Sequence, residues 1–135
     1  MITKVTPVYE VLYVSTMTPT SPVSIVKDIA VGARAFNALH DITGLLIFDG
    51  LHFCQQLEGE KKVVLKLIEK ICSDARHTNV EVIHNAPLAD RRFNRFSLGY
   101  ATFDDINVLA ELKKLDGQPA VDAFLALLTT LDMEA

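Results

Sequence analysis

Phe53-Cys54-Gln55-Gln56-Leu57-Glu58-Gly59 is the stretch on which the fold turns. Side chains alternate along a strand, so Phe53, Gln55 and Leu57 share one face. Phe53 and Leu57 are large and apolar, which marks that face as buried. An amide set between them needs a hydrogen-bond partner, because buried polar groups are seldom left unpaired. Just upstream, Asp49-Gly50 is a two-residue hairpin signal. It joins this strand, residues 51–58, to an antiparallel neighbour over residues 45–48.

Working outward, residues 8–16 are rich in Val, Tyr and Thr and read as a strand. Val11, Tyr13 and Ser15 fall on one face, Leu12 and Val14 on the other. Apolar residues on both faces predict a central strand, covered on both sides. Ser21-Pro22 is a helix-start signal for a helix over residues 22–39. Its stripe is Val26, Ile29, Ala33, Phe36 and His40, with Asn37 on the edge. Ala30 and Ala33 are small and leave room for a close approach. A second helix, residues 60–72, presents Val63, Val64, Leu67, Ile68 and Ile71 on one side. A polar connector holds Asp74, Arg76 and His77. Residues 80–84 read as a fourth strand and 86–95 as a charged loop. Residues 96–103 form a fifth strand with Phe96, Leu98 and Tyr100 on one face. Asp104-Asp105 caps a short helix to about residue 115, Gly117-Gln118-Pro119 breaks it, and a last helix spans 120–131.

The order β-α-β-β-α-β-β followed by two helices predicts an α+β, ferredoxin-like fold. Right-handed crossovers place the first two helices on one face of the sheet. The two C-terminal helices are expected to cover the other. Residues 1–103 make the core and 104–135 a helical cap of the same domain.

A chain of 135 residues, half of them hydrophobic, builds its core without disulfides or metal. Asp and Glu number 17 against 13 Lys and Arg, which argues against a nucleic-acid or polybasic membrane role. Cys54 and Cys72 are far apart and form no metal spacing. There is no signal-peptide pattern at the N-terminus and no bilayer-length apolar run. A cytoplasmic location is expected. There is no dinucleotide fingerprint, P-loop, HExxH or GxSxG in the chain. Nothing in it asks for an enzyme, and no metal site is expected.

Single polar residues on apolar faces remain. Taken one at a time, each has a structural explanation. Tyr13 is a core tyrosine with a bonded hydroxyl. Asn37 caps a helix end. Gln55 reaches solvent from an edge, and Arg76 and His77 are solvated.

Together they match a family. Leu12-Tyr13-Val14-Ser15 resembles the first strand of BLUF domains, the flavin-using blue-light sensors. Ala33-Arg34-Ala35-Phe36-Asn37 and Ile42-Thr43-Gly44-Leu45-Leu46 resemble its first helix end and second strand. The opening stretch resembles its F-x-Q-x-L-E-G signature. Asp74-Ala75-Arg76-His77 with Val80-Glu81-Val82 resembles its connector and fourth strand. Arg91-Arg92-Phe93 and residues 97–100 resemble its fifth-strand region. The likeness spans about residues 8–103.

The resemblance implies a flavin between the two helices, FAD first, with FMN and riboflavin as alternatives. It implies that Gln55 bonds flavin N5 or O4 and also the Tyr13 hydroxyl. It places Asn37 at the O4 and N3 edge and Arg76 on the O2 side. Asp74 and His77 are supports; Ile29, Ala33 and Leu57 are apolar walls. Light would draw an electron and a proton from Tyr13, and Gln55 would emerge with changed hydrogen bonds. The signal would pass to a partner protein by contact, with self-association expected. Phe96 and Leu98 hold the signal-transmitting positions, where the family usually has Trp and Met. Leu98 lacks the weak acceptor of a thioether. Two other readings are a flavin-binding or regulatory module without photoswitching, and an acylphosphatase-like hydrolase. The loop over residues 16–21 lacks the glycine and arginine the hydrolase needs.

Overall fold

β-Branched and aromatic residues fit a pleated, half-buried surface, and they fill β1 (Val8–Met17). The structure, a computed structural model, describes residues 8–19, 22, 24–101 and 108–133. After β1 come α1 (Ile25–Leu39), β2 (Thr43–Phe48), β3 (His52–Glu60), α2 (Lys61–Cys72), β4 (His77–Leu88) and β5 (Phe96–Ala101). Then follow α3 (Val108–Leu112), α4 (Gly117–Leu127), a short 3-10 turn, and β6 (Leu131–Met133). The six strands form one sheet in the order β4-β1-β3-β2-β5-β6. Only β2 and β5 pair in parallel among the described strands.

The register sets up two rows of side chains. Tyr13 of β1 lies opposite Gln55 of β3, which lies opposite Leu46 of β2, which lies opposite Leu98 of β5. This row faces α1 and α2, whose Val26, Ile29, Ala30, Val64 and Leu67 pack onto it. On the other face Leu12, Val14, Leu45, Ile47 and Cys54 meet Leu109 and Leu112 of α3 and Ala120 and Phe124 of α4. The expected layering, two helices on each face, is therefore the observed one.

Local boundaries differ from the sequence reading. The hairpin turns on Gly50-Leu51, not Asp49-Gly50: Asp49 N donates to His52 O at 3.2 Å, and Gly50 has φ 103°. Asp49 Oδ1 instead accepts from the backbone N–H groups of Leu51 and His52. β4 is longer than expected, because it continues the pairing with β1 from His77 to Leu88. His77 is thus a strand residue and not part of a connector. α1 starts at Ile25, with Ser24 as N-cap; Ser21 and Asp104-Asp105, expected as caps, lie outside the described residues. On α1 Asn37 is buried while His40 is exposed, the reverse of the expected stripe. α4 begins at Gly117, so Pro119 falls in its first turn. A missing N–H costs nothing there, since first-turn N–H groups have no intrahelical partner. The helix ends at Leu127, and the chain then adds β6 to the edge of β5.

Candidate functional site

Tyr13 and Gln55 are cross-strand neighbours on the face under α1 and α2. The Tyr13 hydroxyl donates to Gln55 Oε1. Both side chains are buried, at 0% and 4% exposure. Burial pushes the Tyr13 phenol far above its ordinary range, with smaller charge contributions in the same direction from Cys54, Cys72 and Asp74. The phenol therefore stays protonated. A phenol has one proton to give and an amide has a separate donor end. With Oε1 taken by Tyr13, the Nε2 end of Gln55 is the donor for any further partner.

Asn37 stands in the last turn of α1, 1% exposed. Its backbone carbonyl accepts from Ile42 N at 2.8 Å and ties α1 to the start of β2. Its side-chain Nδ2 is buried and has no hydrogen-bond partner. Leaving such a donor unmet costs about 1–3 kcal/mol.

Arg76 forks onto Asp74, with Nε–O distances of 3.0 and 3.1 Å and an Nη2–O distance of 2.6 Å. The guanidinium holds the Asp74 carboxyl below its ordinary range, and Asp74 holds Arg76 above its own. His77 is buried, with Nδ1 3.0 Å from Ser15 Oγ. Its ring lies 4.8 Å from that of Phe53 and 6.4 Å from that of Tyr13, centre to centre. Burial lowers its pKa below the ordinary 6.5, so the imidazole is neutral at pH 7.

These groups line one cleft between α1 and α2, of about 170 Å³. Ile29, Gly32 and Ala33 form one wall and Leu67 and Ile71 the other; Tyr13, Asn37, Gln55, Asp74, Arg76 and His77 supply the polar part. Leu57, expected as a wall, is fully buried in the same core but is not among the lining residues. Phe96 and Leu98 do not reach the cleft either. Phe96 lines a larger cleft of about 540 Å³ on the other side of α1, which shares Asn37 but holds neither Tyr13 nor Gln55. The buried Tyr13–Gln55 pair therefore opens on the smaller cleft. Sequence reasoning missed Gly32, Ser15 and Lys70. Lys70 Nζ lies 4.6 Å over the Phe36 ring, and both residues line the cleft. The spacing Leu67-Lys70-Ile71 would have shown it, since these positions share a helical face.

The donor set suits a flat, largely apolar ring with acceptors along one edge. The orphaned Asn37 amide asks for an acceptor, the walls are small and aliphatic, and the amide of Gln55 has a donor to spare.

The family model for BLUF, sensors of blue-light using FAD, matches residues 8–99. The chain is 33% identical over 93 residues to the blue light- and temperature-regulated antirepressor BluF of Escherichia coli (strain K12), covering 69% of this chain and 23% of that protein. It is 36% identical over 85 residues to the photoactivated adenylate cyclase subunit beta of Euglena gracilis, covering 62% of this chain and 10% of that protein. The chain thus spans 23% or less of the length of these two relatives. The structure of BlsA in its photo-activated state aligns with a TM-score of 0.79 at 25% identity, covering 95% of this chain and 99% of that one. The dark-state structure of the BLUF protein BlrB gives 0.72 at 25% identity, covering 87% and 92%.

Proposed function

The chain belongs to the BLUF family of blue-light sensors that use flavin, and from that premise we propose that the α1/α2 cleft seats the flavin ring with Tyr13 and Gln55 as its light-driven hydrogen-bond switch. The observation that carries this is a buried amide without a partner, Asn37 Nδ2, in the same cleft as a buried Tyr13–Gln55 pair. Asn37 would hold the polar edge of the ring, and the Gln55 Nε2 end would face it beside Asn37. Asp74 orients Arg76, while His77 stays neutral against Ser15. Ile29 and Ala33 would give the ring an apolar wall.

Bound flavin would supply blue-light absorption and a transient electron acceptor. The protein's part follows from its hydrogen bonds. Tyr13 that has lost an electron is strongly acidic, and Gln55 Oε1 is the acceptor its hydroxyl already meets. The proton moves to that oxygen. When the electron returns, the proton returns to Tyr13, and Gln55 settles in a second bonded arrangement, rotated or tautomerised. No substrate is turned over in this scheme.

Lys70 is exposed and Arg76 half-buried, so cations stand where the cleft meets solvent. That suits a phosphate-bearing flavin over riboflavin, and FAD is the flavin in the family's description. We place the protein in the cytoplasm; no described helix is long and apolar enough to cross a membrane. Output is assigned to contact with a protein partner or a second copy of the chain. One observation weighs against β5 as the strand that reads Gln55 directly: Leu46 stands between Gln55 and Leu98 in the row.

The visible spectrum before and after blue light tests the reading. A flavin spectrum with a slight, reversible red shift is expected. Gln55→Leu and Tyr13→Phe should keep the flavin and lose the shift. A colourless protein from flavin-replete expression overturns the proposal, and a shift surviving in either variant overturns the switch.

A further inference from the structure

Gln56, the next residue after the proposed switch, points to the opposite face of the sheet, into a buried charged cluster that the switch does not use. Glu10, Gln56 and Glu58 are each 1% exposed or less. Gln56 Nε2 donates to Glu10 Oε1 and to Glu58 Oε1, both at 3.0 Å. Glu58 also accepts from Thr43 Oγ1 at 2.6 Å and from the backbone N–H groups of Arg92 at 2.8 Å and Phe93 at 2.9 Å. Arg92 closes the cluster with Nε 2.6 Å from Glu10 Oε1. His84 Nε2 lies 3.3 Å from the other Glu10 oxygen.

Two features give this cluster a direction. Gln56 Oε1 is buried without a partner, so the side chain is held by its donor end alone. A flipped amide would set its oxygen against two carboxylates, which fixes one orientation. On the far side, Phe93 packs edge-on against Phe124 of α4, centroids 6.4 Å apart. A continuous contact line therefore runs from β3 through the residue 91–93 segment to α4. The β5 direction offers only Leu46 and Leu98, both fully buried and without polar side-chain atoms.

We propose that the light signal crosses the sheet through Gln56, which couples a rearranged Gln55 to Glu58 and Glu10 and so to Arg92, Phe93 and α4. The inference rests on the Tyr13–Gln55 switch proposed above. Gln55 and Gln56 share one planar peptide unit, so a tilt of that unit moves both faces together. Glu58 answers directly at the two loop amides it holds. Gln56, Glu58 and Arg92 are positioning residues here, and coupling measured across them is what the proposal requires.

Hydrogen–deuterium exchange of the flavin-loaded protein, in the dark and under blue light, is the test. Exchange at the amides of residues 92 and 93 and along α4 should change by roughly threefold or more under light, within the usual range of such coupling. Gln56→Met keeps a side chain of similar length without the amide; it should keep the red shift and lose that light-dependent difference. Arg92→Lys should reduce the difference in α4 while the shift stays. A normal red shift in the unaltered protein with no change at residues 92–93 and α4 overturns the route, whatever the variants do. So does a light response that survives Gln56→Met. Absence of the red shift in the unaltered protein overturns the switch itself, and this route with it.

Discussion

Gln55 and Gln56 are the same side chain, one residue apart, with opposite surroundings. Gln55 meets a phenol under the α1/α2 layer, and Gln56 meets two carboxylates on the other face. Strand alternation alone separates them. Asn37 shows how a buried group that is wrong for the free protein becomes right for a ligand. Its unpaired Nδ2 is a cost in this structure, and under the proposed function a bound flavin would supply the missing acceptor. Asn37→Ala is therefore expected to leave the unfolding free energy of the flavin-free protein within about 1 kcal/mol of the original. The same change should weaken flavin binding by roughly tenfold, about 1.4 kcal/mol. Denaturant melts without flavin and a fluorescence titration with it check the two halves separately.

At the scale of elements, the entry to β2 depends on one glycine. A Cβ on Gly44 would sit 1.9 Å from the Gln56 carbonyl oxygen, and its φ of 150° disfavours a side chain as well. Gly44→Ala should lose at least about 3 kcal/mol of stability in a denaturant melt. Gly32, in the interior of α1, has open space where its Cβ would go. Gly32→Ala should gain about 0.5–1 kcal/mol in the flavin-free protein, the ordinary helix-propensity difference. A Gly44→Ala protein as stable as the original would mean that the close packing at Gly44 is wrong, and a destabilised Gly32→Ala would mean that the space there is not open. The hairpin and α4 make the same point about backbone chemistry. Asp49 uses its carboxylate to satisfy the turn amides, which moves the turn one residue on. Pro119, which looks like a breaker in the sequence, is tolerated because it stands in a first turn.

Across the whole molecule, one sheet separates two apolar layers with different tasks. The α1/α2 layer contains the cleft, and the α3/α4 layer closes the opposite face. Phe124 is the largest α4 side chain in that second layer, 1% exposed. Phe124→Ala should cost about 3–5 kcal/mol in global stability. It should leave the Tyr13–Gln55 pair in place, so that surviving folded protein still gives the red shift. Unfolding curves and difference spectra on the same sample measure both. Loss of the shift in protein that remains folded would mean that the two layers are not separable.

The order of the first five strands and the four helices, the central β1 and the burial of Gln55 were legible in the chain, because alternation and helical periodicity are local properties; β6 was not. The residue types at Tyr13, Asn37, Gln55, Asp74, Arg76 and His77 were legible too, through their spacing against a known pattern. What tertiary structure alone decided is which of them meet. It committed Arg76 to Asp74, left Asn37 without a partner, and put Leu46 between Gln55 and Leu98. It also gathered Glu10, Glu58 and Arg92 from three distant segments into one hydrogen-bonded cluster. Each outcome depends on strand register and strand order, which bring together residues far apart in the chain. No local pattern carries that information, so Gln56 reads as a plain polar strand residue until the sheet is assembled.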